Sequence, residues 1–471
     1  MTHDVAIVGA GPAGSSLAIL LARSGYDVVL LEQSRFPRDK VCGDMVSPRA
    51  FHLLTALGCG EGLETLRAKP IRTAEVILDG EILSATDLPD VEELPGICRA
   101  IPRLQLDDVV FRVACASGAV AVEDCRVRGF QSEDEFVAIR TEVEGEPREI
   151  RARFLVGADG AQSIVARSAG LAVKDPCHTV SAMRGYATGL SLDRASFFFS
   201  TDLFPGYAWI FPMRDGELNY GAGLIAEASS RERLRVREFL TEVQDMIAQR
   251  ARAVGAEVRI DAPVGWPIRT FRPEDRRIFD RGLLIGEAGG FVDPINGEGI
   301  SLAVETAALA AEAIDEALQI GAPTFESYER AWRDSFEADL RVGDLLVSLI
   351  RNRRLRDLWL TWFRQVNRRA RSDESYAALV NGVLAGVIPN RELLRSDVVL
   401  KSLAQDGQFL SDYLDGAGHS GASVWARIPQ LYLRELFRMT DSIRDGAWTA
   451  GWLFDVLSKQ AGVLGSVRRS S

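Results

Sequence analysis

Histidine is scarce in this 471-residue chain: His3, His52, His178 and His419 are all there is. They are far apart, with no HExxH spacing and no His/Cys pairing, so a histidine-built metal centre has no support. The six cysteines (Cys42, Cys59, Cys98, Cys115, Cys125, Cys177) show no CxxC spacing, which points to reduced thiols in a reducing compartment. No stretch reaches the roughly 18 uninterrupted apolar residues that cross a bilayer. The opening Met1-Thr2-His3-Asp4 lacks a basic region and an apolar leader. Positive charge is also short: 55 Lys and Arg against 66 Asp and Glu leave a net charge of -11, so nucleic-acid binding has no global electrostatic support. The expected location is cytoplasmic, with a peripheral membrane contact left open. What remains, 47% hydrophobic and 26% charged residues, is an ordinary globular balance in a chain long enough for two or three domains.

The first motif is at the start. Asp4 to Val8 is a short apolar run with β-branched residues, suited to a buried strand. Gly9-Ala10-Gly11-Pro12-Ala13-Gly14 follows, then an apolar-periodic helix from Ser15 to Arg23 and a second strand, Val28 to Leu31, ending at Glu32. In this context Gly9 permits the tight turn, Gly11 lets backbone approach a pyrophosphate, and Gly14 allows close helix-strand packing. Glu32, 18 residues after Gly14, is placed to accept ribose hydroxyl hydrogen bonds. A second GxGxxG match, Gly416 to Gly421, follows no buried strand and reads as a loop. One dinucleotide site is therefore expected, without a separate nicotinamide domain.

Two later segments favour FAD over NAD. Phe154 to Gly160 is a strand ending in the Gly157-Ala158-Asp159-Gly160 turn. Leu283 to Gly290 is another strand entering a glycine turn, followed by Pro294, Gly297, Gly299 and Ile300 and an Ala-rich helix. A ligand with a ribityl chain and a flavin ring uses such extra turns, and the helix starting near Gly299 would present its positive end to the reduced ring.

On these residues the chain resembles the aromatic hydroxylase-like FAD superfamily and, within it, the geranylgeranyl reductase family. GAGPAG, GADG and GEAGGFVDPINGEGI resemble the superfamily's three FAD segments. Pro37 to Gly43 fits the reductase family's PxxKxCG, and Tyr207 to Pro212 with Gly221 and Gly223 fits YxWxFP…GxG. Arg103 to Asp107 resembles RxxFD, with Leu106 in place of Phe. The usual GDAAG is here Gly286-Glu287-Ala288-Gly289-Gly290, a departure that bears on the ribityl contact.

The resemblance implies FAD contacts at Gly9, Gly11, Pro12, Ala13, Gly14, Glu32, Gln33, Lys40, Cys42, Gly43, Arg103, Asp159, Gly160, Glu287, Pro294, Gly297, Gly299 and Ile300. It also implies a lipid-facing wall at Tyr207, Trp209 and Phe211, with Arg184 and Tyr186 on the preceding strand within reach. Alternating aromatics are equally ordinary sheet packing. Cys42 is the catalytic candidate: Lys40, two positions before it, is placed to lower its thiol pKa, while a free Cys is just as commonly a small buried hydrophobe.

The expected architecture is α/β: a Rossmann-like FAD-binding domain (1–70, 98–176, 273–322), an inserted substrate-binding sheet domain (71–97, 177–272) and a helical C-terminal region (323–471). In that region Leu346 to Arg371 is apolar on one side and crowded with arginines, which suits either an interfacial helix collecting an anionic lipid or a helix packed on the FAD domain with a solvated basic face. A second helical block follows Pro429, and Ser466 to Ser471 reads as a frayed tail. The implied activity is saturation of C=C bonds in a prenyl or other hydrophobic substrate by hydride from reduced flavin, recharged by NADPH or a ferredoxin-type donor. The alternative is a flavin monooxygenase acting on a hydrophobic intermediate. A flavin halogenase fits less well, because Cys42-Gly43-Asp44 stands where that class carries a GES-type segment and WxWxIP is absent. A non-enzymatic FAD-holding protein would make the aromatic wall mere core. No side-chain acid stands out as a proton donor.

Overall fold

In a computed structural model, residues 2–91, 94–394 and 446–470 are described; the second GxGxxG match and the start of the block after Pro429 lie outside them. Thr2–Val8 is the central strand of the first sheet. It pairs in parallel with Glu146–Gly157 on one side and Val28–Leu31 on the other, and Gly282–Leu284 and Val120–Val122 extend the sheet outward. Alternation explains why every residue from Val5 to Val8 is apolar. Val5 and Ile7 face a core built with helices Pro12–Arg23, Arg103–Ala116 and Ile300–Ile320. Ala6 and Val8 face a second core under the antiparallel hairpin Cys125–Ser132/Val137–Val143 and the helix Ile164–Ser168. A parallel sheet covered on both faces needs such unbroken apolar strands.

The second sheet is largely antiparallel. Its order runs Arg259–Ile260, Thr179–Thr188, Glu217–Ile225, Tyr207–Pro212, Arg194–Phe199, Thr73–Leu78, Glu81–Asp87, with Val264–Arg269 also paired to Thr179–Thr188. Ala208 and Ile210 turn to the helix Val236–Ala253, which offers Phe239, Leu240, Val243 and Ile247. Tyr207, Trp209 and Phe211 turn to the opposite face, toward the Cys42–Gly43 turn. The period of two in side-chain direction thus separates a structural face from an aromatic one.

The arginine-rich segment does not pack on the FAD domain. Its helix, Arg356–Ala370, packs on the second sheet, with Leu360 and Phe363 against Leu78, Leu83 and Phe204. Its cations are committed to that sheet and its loops: Arg353 donates to Asp202 O (2.8 Å), Arg356 to Thr201 O (3.4 Å), Arg364 pairs with Asp79 (3.3 Å), and Arg371 donates to the carbonyls of Ile82 and Leu83. Carbonyls of the sheet and its loops, invisible in the sequence, take Arg353, Arg356 and Arg371. No helix among the described residues is long and apolar enough to cross a membrane.

The C-terminal helix, Gly446–Ser470, replaces the expected frayed tail: it continues through Ser466, which is buried. It docks on Ala338–Ile350 through a buried charge cluster. Lys459 Nζ lies 2.6 Å from Asp344 and 2.8 Å from Ser348 Oγ, Arg351 pairs with Asp455 (2.7 Å), and Trp452 Nε1 donates to Ser348 O (2.7 Å). His178 completes the cluster between Asp175 (2.9 Å) and Asp344 (3.0 Å). Burial opposes its charge, but hydrogen bonds to the two carboxylates outweigh that and raise it to about 9. A folded value above the roughly 6.5 of a free histidine means that the contribution is complete below about pH 6.5 and is lost as pH rises through about 9. Thermal melts between pH 7 and 10 are expected to show the C-terminal helix loosening with rising pH. His178→Asn should flatten that slope; an unchanged slope would remove His178 as its origin.

Candidate active site

The opening turn forms a cradle in which each glycine has a distinct reason. At Gly9 φ is +98°, and a Cβ there would lie 2.5 Å from Ala158 O. At Gly14 a Cβ would lie 1.9 Å from Gly9 O, so the helix approaches the turn this closely only because Gly14 has no side chain. Gly11 is different. A Cβ there would meet nothing nearer than Arg103 Nη2 and Arg38 Nη2, both at 3.8 Å. Pro12 begins the helix, where its missing N–H costs nothing, and no side chain caps that terminus. Ala13 is small enough to abut Gly286 from the third segment. The cradle therefore offers open space over Gly11, free helix N–H groups and two guanidinium groups above, which is what a pyrophosphate requires.

Those guanidiniums are held in place by two acids. Asp107 binds Arg103 through both oxygens (2.5 and 2.7 Å) and Arg38 through Oδ2 (2.8 Å). Glu32 accepts from Ala10 N (3.0 Å), Ser34 N (3.1 Å) and Arg38 Nη2 (3.3 Å), while Gln33 beside it is exposed. The i,i+4 spacing of Arg103 and Asp107 on one helix was a readable signal for Asp107. Arg38 had no comparable signal. Hydrogen bonds to charged groups are worth about 1.5–3 kcal/mol, so Arg38→Ala and Arg103→Ala are each expected to weaken FAD binding about 10- to 100-fold. Flavin-fluorescence titration reads this, and unchanged affinity in both variants would contradict the assignment.

In the second FAD segment Asp159 is not left facing a ligand. Its carboxylate accepts from Ser163 Oγ (2.5 Å), Ile164 N (2.6 Å) and Val165 N (3.3 Å), capping the helix Ile164–Ser168. Gly160 turns at φ +73° under Glu287, whose Oε2 would lie 3.6 Å from a Cβ there. The extra methylene of Glu287 carries its carboxylate to Lys40 Nζ (3.2 Å) and Arg269 N (3.3 Å). This corrects the Lys40–Cys42 pairing: Lys40 is spent on Glu287, and the cation interacting with the Cys42 thiol is Arg103. In the third segment Asp293 is locked by Ile295 N, Asn296 N and Asn390 Nδ2. Gly297 lies at φ +73° beneath Tyr207, whose hydroxyl donates to Asn296 O (3.1 Å). Pro294 packs by Gly343. Gly299 caps the helix that Ile300 begins, but the Glu298 carboxylate already takes Ser301 N and Oγ (2.8 and 2.6 Å). The chain's own acid thus compensates part of the positive helix end expected to face the flavin.

The aromatic face closes over the Cys42–Gly43 turn. A Cβ on Gly43 would lie 3.3 Å from Phe211 and 3.5 Å from Trp209 Nε1, and Tyr207, Trp209 and Phe211 stand in sequence with centroids about 6 Å apart (6.0 and 6.1 Å). The turn is fastened by backbone acceptors: Cys42 O receives Asn219 Nδ2 (3.1 Å) and Arg184 Nε (3.3 Å). Arg184 also clasps Asp39 at 2.9 Å to both oxygens, so it joins the FAD-side loop to the second sheet. Asn219 and Asp44, which pattern reading did not single out, lie directly beneath the turn; Trp209 Nε1 donates to Asn219 Oδ1 (2.8 Å). A cavity of about 1220 Å³ opens alongside, lined by Leu53, Leu94, Leu379 and Val387 and also by charged groups that include Arg49, Glu305 and Arg391. Val387 also packs against the aromatic cluster, so cavity and wall adjoin. Among the described residues no cluster of potential metal ligands occurs.

Residues 2–337 match the family described as FAD binding domain. Menaquinone reductase of Mycobacterium tuberculosis is 33% identical over 327 residues, 66% of this chain and 76% of the relative. Digeranylgeranylglycerophospholipid reductase 2 of Methanopyrus kandleri is 29% identical over 346 residues, 71% and 83% of the two chains. Among solved structures, a geranylgeranyl bacteriochlorophyll reductase-like protein of Thermoplasma acidophilum superposes with a TM-score of 0.66 at 21% identity, covering 74% of this chain and 88% of its own.

Proposed function

Because this chain belongs to the geranylgeranyl reductase family of FAD-dependent oxidoreductases, we propose that it saturates a C=C bond in the isoprenoid chain of a prenyl lipid or prenylated quinone. One observation carries the reading: an aromatic face is pressed onto the Cys42–Gly43 turn, beside a dinucleotide cradle and next to a cavity of about 1220 Å³. Such a wall offers an alkene apolar surface and few hydrogen-bonding groups. The names of the relatives, menaquinone reductase and digeranylgeranylglycerophospholipid reductase, support a substrate with an isoprenoid chain.

In this reading FAD, once reduced, would supply a hydride, and the protein holds and shields. The Gly9–Gly14 turn, Arg38 and Arg103 take the pyrophosphate, and Glu32 the adenosine ribose. Lys40, the Asp159–Gly160 turn and Glu287 line the ribityl chain, and the Pro294–Ile300 loop with Cys42–Gly43 borders the ring. Tyr207, Trp209 and Phe211 lay the alkene against that ring and exclude water. Reducing equivalents come from a nicotinamide or ferredoxin-type donor. Product analysis tests the proposal: protein incubated with dithionite and a quinone-free geranylgeranyl lipid is expected to yield product whose isoprenoid chain has gained two hydrogens. Product carrying a new oxygen, formed only in air, would instead support the monooxygenase alternative.

A further inference from the structure

Saturating an alkene needs a proton as well as a hydride, and beneath the Cys42–Gly43 turn is a carboxylate that nothing above employs. Asp44 is fully buried, on left-handed backbone at φ +61°. Its Oδ2 receives the Tyr186 hydroxyl (2.7 Å) and Asn219 Nδ2 (2.9 Å), and its Oδ1 has no hydrogen-bond partner among the described residues. A buried carboxylate oxygen left bare is costly, and protonating the group relieves the charge. Tyr186 is half-buried, on the same sheet face as Trp209 and Phe211, and packs against their cluster. Its ring lies under the Arg184 guanidinium, 4.3 Å from the centroid.

We propose that Asp44 and Tyr186 form the proton relay of this site, Tyr186 facing the alkene and Asp44 recharging it. The inference rests on the reductase reading. The Tyr186 Oη–H bond breaks, and the alkene π pair takes that proton on the carbon opposite the one that receives the hydride of the reduced flavin. With the proton on Oδ2, the 2.7 Å hydrogen bond to Tyr186 runs from Asp44 to the phenolic oxygen; the proton passes along it, leaving a carboxylate that Asn219 Nδ2 stabilises, and a proton from water restores it. Coupling in this way gives the relay the acidity of a carboxylic acid, which a phenol alone lacks. Burial raises the Asp44 carboxyl to about 6, against the opposing pull of its hydrogen bonds and of Arg184 and Arg103. Asp39, which pairs with Arg184, and the Cys42 thiol are the other titratable groups nearby. Asp293 is the rival buried acid, but both its oxygens are already taken by Ile295, Asn296 and Asn390.

Tyr186→Phe keeps the ring under Arg184 and removes only the hydroxyl; Asp44→Asn keeps the shape and removes the acid. Anaerobic single-turnover reaction of the flavin-reduced protein with a geranylgeranyl lipid, followed across pH, is expected to be about 100-fold slower in both. FAD affinity in Tyr186→Phe should stay within about threefold of wild type. The wild-type rate should decline as pH rises above about 6, and Asp44→Asn should abolish that dependence. Infrared difference titration supplies a readout that needs no turnover: a protonated-carboxyl band that is lost in Asp44→Asn and shifts to higher pH in Tyr186→Phe. Wild-type rate and pH profile in Tyr186→Phe would overturn the relay, even if Asp44→Asn failed to fold, and so would the absence of an Asp44-dependent band. A wild-type protein with the band but no lipid turnover would defeat the reductase reading and the relay's role with it.

Discussion

Gly14→Val is expected to yield protein without bound flavin. The added Cβ would lie 1.9 Å from Gly9 O, 3.1 Å from Gly9 C and 3.2 Å from the Ala158 Cβ. The first two are backbone, which cannot rotate aside, so the helix Pro12–Arg23 must lift off the strand Thr2–Val8. Overpacking of this kind costs about 1–3 kcal/mol or more, and the lifted helix terminus no longer faces the pyrophosphate. A loss of FAD affinity of at least about 100-fold, roughly 2.7 kcal/mol, is expected by fluorescence titration. Gly25→Ala is the control. That glycine has φ +89° but nothing within 4 Å of an added Cβ, so the change costs about 1–2 kcal/mol of backbone strain and leaves flavin binding intact. Equal flavin loss in both variants would mean that general destabilisation, not the cradle, is being read.

The largest stability effect is expected at Arg277, a residue without any motif. It is 1% exposed and enclosed by Phe271, Phe291 and Trp332, with its guanidinium carbon 5.1, 4.7 and 4.5 Å from their ring centroids. Its donors satisfy the carbonyls of Gly289 (2.9 Å), Asp275 (2.7 Å) and Arg272 (3.1 Å). Burial pulls the guanidinium down to about 10, yet it remains charged at neutral pH. Arg277→Met fills the volume but leaves those carbonyls bare, at about 1–3 kcal/mol each if buried. A total loss of about 3–5 kcal/mol is expected in denaturant unfolding. Because Gly289 belongs to the third FAD segment, flavin retention should fall with stability. A change under about 1 kcal/mol would mean that the aromatic cage, not the cation, holds this turn.

The parts of the site whose geometry follows directly from sequence are those encoded locally. Gly9, Gly11 and Gly14 need only a strand before them and a helix after, and Tyr207, Trp209 and Phe211 need only the two-residue period of a strand. What escaped depends on partners far apart in the chain. Lys40 lies two positions from Cys42 but reaches Glu287, 247 residues away. Arg38 and Arg103 meet only through Asp107. Asp44 follows a motif, yet its significance lies in complete burial beneath the strands carrying Tyr186 and Asn219, which no local pattern states. Arg353, Arg356, Arg364 and Arg371 resembled part of a free basic face because their acceptors are backbone carbonyls and a loop acid of the second sheet. His178, one of four scattered histidines, gave no sign that it anchors the C-terminal helix.

The central claim is that flavin held in this cradle gives its hydride to an unconjugated alkene laid on the aromatic wall. The most direct measurement is anaerobic mixing of the stoichiometrically reduced flavoprotein with a quinone-free geranylgeranyl lipid, recording flavin absorbance and product mass together. The account predicts flavin reoxidation without oxygen, one equivalent for each product that gains two hydrogens, slowed by Trp209→Ala. A flavin that stays reduced until air is admitted, with the isoprenoid chain unchanged, would contradict it.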